Sequence, residues 1–281
     1  MRYGVTIFAT DVSIGVVDLA RACEERGLDS LWLPEHTHIP TSRRTPWPVA
    51  PDQPIDEKYK RSLDPLVALG AAAAATSTLR LGTGILLAAQ RDPIVTAKAV
   101  ATVDHLSGGR AAVGVGFGWN EDEMAHHGVD YHSRRAKGRE HVLAMRSLWE
   151  DDEASFDGDH VRFSPSWQWP KPVQRPLPVL LGGAAGPKLF ANIAEYAQGW
   201  IPIGGGGLRE ALPRLRDAVA EAGRDPSTLE IAPMAVVPDA GKLDHYASLG
   251  VTEVVFDLPS APADIVLPIL DRQAALVAAR R

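Results

Sequence analysis

The sequence predicts an α/β chain folded as a (β/α)₈ TIM barrel, with insertions after the second strand and after the fourth helix. Three observations carry that expectation. Eight short apolar runs alternate with eight windows of helical periodicity, several runs are apolar throughout, and helix-starting and helix-stopping residues fall between them. Strict β–α alternation implies a parallel sheet, and eight such units close most simply into a barrel.

The strand-like runs are residues 3–8, 30–34, 79–87, 111–117, 178–182, 199–203, 229–236 and 252–258. Continuous apolarity is what a strand shows when helices cover one face and a barrel interior the other. The helical windows are 14–26, 65–75, 93–106, 135–149, 187–197, 208–222, 242–249 and 262–279. Asp92-Pro93 reads as an N-cap with proline at the first helical position. Gly27, Gly223 and Gly250 read as C-terminal caps. An open, doubly wound sheet is weakened because Phe8-Ala9-Thr10-Asp11, not a glycine fingerprint, follows the first strand. Two long segments break the rhythm, 37–62 after the second strand and 151–177 after the fourth helix. In the latter, 154–163 reads as a hairpin turning at Asp157-Gly158, and Trp167-Gln168-Trp169-Pro170 reads as packing rather than pocket lining. With no repeat, linker or low-complexity stretch, residues 1–281 read as one domain.

Of the 281 residues, 45% are hydrophobic and 23% charged, enough for a large core without membrane help. No apolar run reaches the roughly 18 residues that cross a bilayer. The N-terminus enters a strand pattern directly, and one cysteine, Cys23, fits a reducing cytoplasm and a buried small hydrophobe. The net charge of −6, with scattered basic residues, argues against a nucleic-acid partner. The richest basic stretch, 133–139, opens a helix and reads as a solvated face.

In such barrels chemistry collects where strands end. The second strand ends Pro34-Glu35-His36-Thr37-His38, a carboxylate and two imidazoles at the mouth, read as hydrogen-bonding or proton-transfer groups. The third ends Leu81-Gly82-Thr83-Gly84-Ile85-Leu86, where glycines mark either a bulge beside a ligand or barrel curvature. The fourth ends Gly114-Val115-Gly116-Phe117-Gly118-Trp119-Asn120 and the fifth Leu181-Gly182-Gly183-Ala184-Ala185-Gly186. Both read as nests of free N–H groups suited to an anion. Gly204–Gly207 reads equally as hinge or contact.

These segments, together with Asp104-His105-Leu106-Ser107-Gly108-Gly109-Arg110, resemble the luciferase-like monooxygenase superfamily, and within it the deazaflavin-dependent oxidoreductases. The resemblance covers most of residues 1–203 and rests on barrel pattern alone thereafter. It implies hydride transfer between a flat redox ring and a small-molecule substrate. The cofactor implied is coenzyme F420, with FMN and monooxygenase chemistry as the alternative. It places Glu35 and His36 beside the ring as catalytic residues, with His38 at the substrate. It makes Gly84, Ile85 and Leu86 the ring's wall, with a cis bond at Gly84–Ile85. Gly116, Phe117, Gly118, Asn120, Gly182, Gly183, Ala184 and Ala185 then hold the cofactor's tail. A Glu35–His36 interaction is expected to orient the imidazole. Relatives pair as homodimers through helices flanking the third strand. Pro40 stands where sugar-phosphate dehydrogenases of this branch carry tryptophan, so that substrate is not expected. A metal-dependent hydrolase, using His36 and His38 as ligands, lacks further ligands on strands five and six. A barrel without catalysis is the remaining reading.

Overall fold

The computed structural model describes residues 1–41, 44–48 and 50–281. Its strands are β1 Arg2–Thr6, β2 Ser30–Leu33, β3 Arg80–Leu86, β4 Ala111–Val115, β5 Ala154–Asp157, β6 Arg162–Ser166, β7 Val179–Gly182, β8 Gly199–Ile201, β9 Glu230–Ile231, β10 Met234–Val236 and β11 Glu253–Asp257. The helices are α1 Val16–Glu25, α2 Glu57–Arg61, α3 Pro65–Ala75, α4 Pro93–Ser107, α5 Glu121–His126, α6 Arg134–Glu150, α7 Pro187–Tyr196, α8 Leu208–Glu221, α9 Ala240–Ser248 and α10 Ala263–Ala278.

The chain is an α/β fold around a curled nine-stranded sheet in the order β10-β11-β1-β2-β3-β4-β7-β8-β9. Every pairing within that sheet is parallel. β9 and β10 are the two halves of the single apolar run expected at 229–236. They separate at Pro233, which has no N–H to give the ladder. Ala235 then takes a left-handed φ of 55°, at the register shift between Met234 and Val236. The two sheet edges meet there, since Ile203 bridges Met234 and the Ala232 amide donates to the Trp200 carbonyl at 2.9 Å.

The buried strands β2, β4, β7 and β8 face two apolar layers. The inner layer is Trp32, Ala112, Leu180, Ile201, Ala232, Met234 and Val255. The outer layer joins the sheet to the helices through residues such as Leu31, Val113, Leu181 and Phe256. Trp32 explains Gly82, because a Cβ there would collide with the indole.

At the N-terminal ends of the strands a charged cluster replaces apolar filling. The fully buried Glu253 accepts from Ser30 Oγ at 2.5 Å, Trp32 Nε1 at 2.7 Å, Arg80 Nη1 at 2.8 Å and Arg2 Nε at 2.9 Å. Glu230 accepts from the same two arginines.

Helix punctuation follows the expected residues. Asp92 Oδ1 accepts from the Val95 amide at 2.8 Å, and Gly27, Gly223 and Gly250 have φ of 69°, 77° and 77°. Cys23 is buried, which pushes its thiol up to about 12. Two helices lie outside the expected eight. α2 falls in the 37–62 segment, where Ser62 Oγ donates to the His36 carbonyl at 2.9 Å. α5 follows β4. Strands β5 and β6 form the expected hairpin, but its loop is residues 158–161, closed by Gly158 N donating to the Val161 carbonyl. The packing expected of Trp167 and Trp169 is not found: they are 80% and 56% exposed. Between them Gln168 is buried, donating to the Ile94 carbonyl at 3.0 Å.

Candidate functional site

The end of β2 separates the two residues expected to work together. Neighbouring residues of an extended chain point to opposite sides, and Glu35 and His36 do so. Glu35 is buried and accepts from the Leu87 amide at 2.6 Å and from Arg91 Nε at 2.6 Å. Arg91 also reaches Asp64 Oδ2 at 2.6 Å, so three loop segments are tied together. Burial pushes the Glu35 carboxyl up, against the pull of Arg91 and the Leu87 amide. The expected Glu35–His36 interaction is therefore corrected: this carboxylate braces the end of β3.

The partner of His36 is Glu123, on α5. His36 Nδ1 lies 2.8 Å from Glu123 Oε2, and the Thr37 amide donates to Glu123 Oε1 at 3.3 Å. Both side chains are almost wholly buried. A carboxylate at Nδ1 keeps the proton there and leaves Nε2 as the working nitrogen. Sequence reading missed Glu123, although Asn120-x-x-Glu123 has capping-box spacing. Asn120 does accept from the Glu123 amide at 3.3 Å, while the glutamate side chain is diverted to the imidazole.

Tyr59 and Trp47, from the stretch after β2, join Phe8 and Trp119 in an aromatic cluster beside this histidine. The Tyr59 ring lies 5.2 Å from His36, 4.7 Å from Phe8, 5.7 Å from Trp47 and 6.4 Å from Trp119. Trp119 meets His36 edge-on at 5.8 Å. Trp119 lay inside the glycine-rich run read as holding the cofactor tail, but Phe8, Trp47 and Tyr59 did not stand out as site residues, because their gathering beside His36 depends on Tyr59 folding back from the stretch after β2. His38 turns elsewhere. Its Nε2 lies 2.8 Å from His126 Nδ1, with the rings stacked, and Thr37 Oγ1 joins His38 to His127 at 3.0 and 2.7 Å. Burial and the neighbouring His38 hold His127 below the usual imidazole range. His36 and His38 thus have separate partners, and among the described residues no group of three or more His, Cys, Asp or Glu is placed to hold a metal ion.

The glycine-rich tips sit side by side, since β3 pairs with β4 and β4 with β7. The Gly84–Ile85 bond is cis, with a register shift between Gly84 and Leu86. The Ile85 side chain lies over Gly116 and Gly182, where any Cβ would run into it. These two glycines make room for Ile85, the half-exposed side chain that faces the mouth. Leu86, expected in the ring's wall, is buried in the core instead. The Phe117 ring is covered by Arg135, whose guanidinium carbon is 4.8 Å from its centroid, and Arg134 stacks on Tyr131 at 3.5 Å. The basic stretch is thus no simple solvated face.

Among the described residues, the amides of Phe117, Gly118, Asn120, Gly183, Ala184 and Ala185 donate to no protein acceptor. Ala184 and Ala185 are exposed ahead of α7. Asn120 Nδ2 and Gln90 Oε1 are buried without partners. Unpaired donors on two adjacent tips, next to a basic helix start and an aliphatic backstop, fit a flat ring with an anionic tail. A groove of about 770 Å³ between α7 and α8, lined by Phe190, Arg214 and Glu221, lies outside the sheet and away from His36.

Comparison with known proteins agrees with this geometry. The chain is 46% identical over 280 residues to an uncharacterized protein of Mycobacterium tuberculosis, covering 99% of each chain. It is 31% identical over 217 residues to an F420-dependent glucose-6-phosphate dehydrogenase of Kineococcus radiotolerans, covering 74% of this chain and 59% of that one. The structure of an F420-dependent secondary alcohol dehydrogenase in complex with an F420-acetone adduct superposes with a TM-score of 0.79 at 21% identity, over all of both chains, which shows a shared fold. The luciferase-like monooxygenase profile matches residues 11–238. The chain is an enzyme of the luciferase-like monooxygenase family of oxidoreductases.

Proposed function

We propose that this enzyme uses coenzyme F420 to transfer a hydride to or from a small organic substrate, with FMN as the alternative cofactor. One observation carries the reading. Unpaired amides at the tips of β4 and β7 flank the Ile85 backstop, at the end of the parallel sheet where β2 also delivers His36 with Glu123 at its Nδ1. The F420-dependent relatives support the choice of the deazaflavin over FMN.

Bound F420 supplies a ring carbon that gives or takes hydride and reacts poorly with oxygen. The protein supplies the rest. The amides of Phe117–Asn120 and Gly183–Ala185 hold the anionic tail, with Arg135 adding positive charge. Ile85 backs the ring. His36 Nε2 takes the hydroxyl proton of a carbinol substrate, or returns a proton to a carbonyl oxygen in the reverse direction. Glu123 holds the ring by Nδ1 and fixes its orientation. Glu35 moves no proton and keeps β3 in place through Leu87 and Arg91.

The sheet is read as a closed eight-fold barrel, with β9 and β10 as one broken strand and residues 1–281 as one domain. The segments 37–62 and 151–177 are its insertions. Exposed Val67, Val95, Trp167 and Trp169 support a homodimer through the α3–α4 face; a monomeric mass by light scattering would remove that assignment. No helix among the described residues is long and apolar enough to cross a membrane, and the lone buried thiol suits the cytoplasm.

The cofactor is tested by titrating the purified protein separately with F420 and FMN, following absorbance and fluorescence. The expected result is F420 binding in about the micromolar range and FMN at least about tenfold weaker, a gap of roughly 1.4 kcal/mol. Tighter FMN binding transfers the enzyme to the flavin branch, and failure of both overturns the reading.

A further inference from the structure

The mouth beside His36 carries a second message, about what the substrate is. It rests on the reading above only in taking the His36 side of the mouth as the substrate side. Two large rings flank the imidazole, Tyr59 tilted and Trp119 edge-on; Trp47 and Trp119 each meet Tyr59 edge-to-face, and Phe8 packs tilted against Tyr59. Edge-to-face rings at 5–7 Å make a stiff, apolar wall that gains by covering another flat surface.

The charges around this wall are already matched. Lys58 lies over the Phe8 and Tyr59 faces at 5.4 and 6.0 Å, with Asp56 Oδ2 at 3.6 Å and the Asp257 carboxylate as a further opposing charge. Arg61 pairs with Asp11 at 2.6 Å, Arg44 with Asp122 at 2.8 Å, and Arg91 with both Glu35 and Asp64. Each of these four cations already faces a carboxylate. A phosphate or carboxylate entering here would displace one of those partners and meet the negative charges of Asp257 and Glu123. Charge mismatch of this kind selects by rejection.

One donor is left over. Trp47 Nε1 is buried and has no hydrogen-bond partner among the described residues. A buried N–H without an acceptor is unfavourable by more than a normal hydrogen bond contributes, so a ligand that supplies the acceptor is favoured over one that does not. Trp47 comes from the same inserted segment as Tyr59, so the wall and its donor arrive together.

We propose that this slot takes an uncharged, flat-ringed carbonyl or carbinol compound, and that Trp47 Nε1 donates a hydrogen bond to an oxygen of it. The enzyme therefore differs in substrate class from its sugar-phosphate-oxidising relative. Trp47 is a specificity-determining residue, and His36 remains the group that handles the proton.

The test uses three probes on the cofactor-free protein, with indole ¹⁵N NMR as the readout. Acetophenone has ring and acceptor, α-methylstyrene keeps the shape without the acceptor, and 4-acetylbenzoate adds a charge. Acetophenone is expected to bind about fivefold tighter than α-methylstyrene, the size of one net hydrogen bond, and to move one indole N–H resonance. W47F removes that resonance and brings the ratio close to one, while far-ultraviolet circular dichroism confirms the fold. 4-Acetylbenzoate is expected to bind at least about tenfold weaker than acetophenone, a comparison that needs no variant.

Equal or tighter binding of the carboxylate overturns the proposal. So does a ratio unchanged in W47F, or absence of binding by all three probes. F420 and FMN are titrated on the same samples. If both cofactors fail while the probe pattern holds, the redox reading falls and the slot stands. If F420 binds and the probe pattern fails, only the slot falls.

Discussion

Replacing His36 with alanine is expected to lower kcat at least about a hundredfold, the lower end of what a positioned acid–base group contributes, while the cofactor dissociation constant stays within about threefold. The asymmetry follows from the layout. His36 is held by Glu123 at Nδ1 and faces the aromatic wall, whereas the tail-binding amides belong to the tips of β4 and β7. Glu123→Gln is a milder companion. It can still offer an acceptor to Nδ1 but through a weaker, uncharged hydrogen bond that orients the ring less firmly, so kcat falls by about tenfold while KM changes little. Steady-state kinetics of both variants, beside cofactor titrations, decide the matter. An H36A enzyme within a few-fold of the parent has no proton-handling histidine here.

The second large effect is on stability. Glu253→Ala removes the fully buried acceptor of two arginines, a serine and a tryptophan. Breaking a buried ion pair by deleting one partner costs about 3–5 kcal/mol when the remaining charge stays buried and unmatched; here both arginines keep Glu230 and Arg2 reaches solvent, so the low end, about 3 kcal/mol, is expected. For a chain of this length that corresponds to a fall in Tm on the order of 10 °C. The pH dependence has a definite sign. Burial by itself would raise the Glu253 carboxyl, but Arg80 and Arg2, aided by Ser30 and Trp32, hold it below its ordinary 4.5. Its contribution is then fully present above pH 4.5 and lost as pH falls through the lower native value. The advantage of the parent over Glu253→Gln should shrink as the pH drops below that point. Thermal unfolding across pH checks both claims, and a shift under about 2 °C for the alanine variant would show that the cluster relaxes around its loss.

Much of the scaffold was legible in the chain. The parallel sheet, the caps at Asp92, Gly27, Gly223 and Gly250 and the hairpin are local patterns, and local patterns are what a sequence displays. The strand at 229–236 was read as unbroken because its apolar run outweighed Pro233, though the missing N–H was in plain view. Glycines at 116 and 182 were visible as unusual, but their immediate reason, the Ile85 side chain above them, was not.

The site divides along the same line. Spacing and residue type alone brought Glu35, His36 and the glycine-rich tips to one end of the strands, because consecutive parallel strands all finish on the same face. Which carboxylate serves the histidine was decided by tertiary structure. Glu35 is its chain neighbour and is turned to Leu87 and Arg91, while Glu123 is 87 residues away and reaches it only once β4 lies in the sheet and α5 folds back. Trp47 and Tyr59 depend likewise on the inserted segment docking over β2. Periodicity is written between neighbours along the chain, whereas partner choice depends on which distant surfaces the folded backbone brings within hydrogen-bond reach.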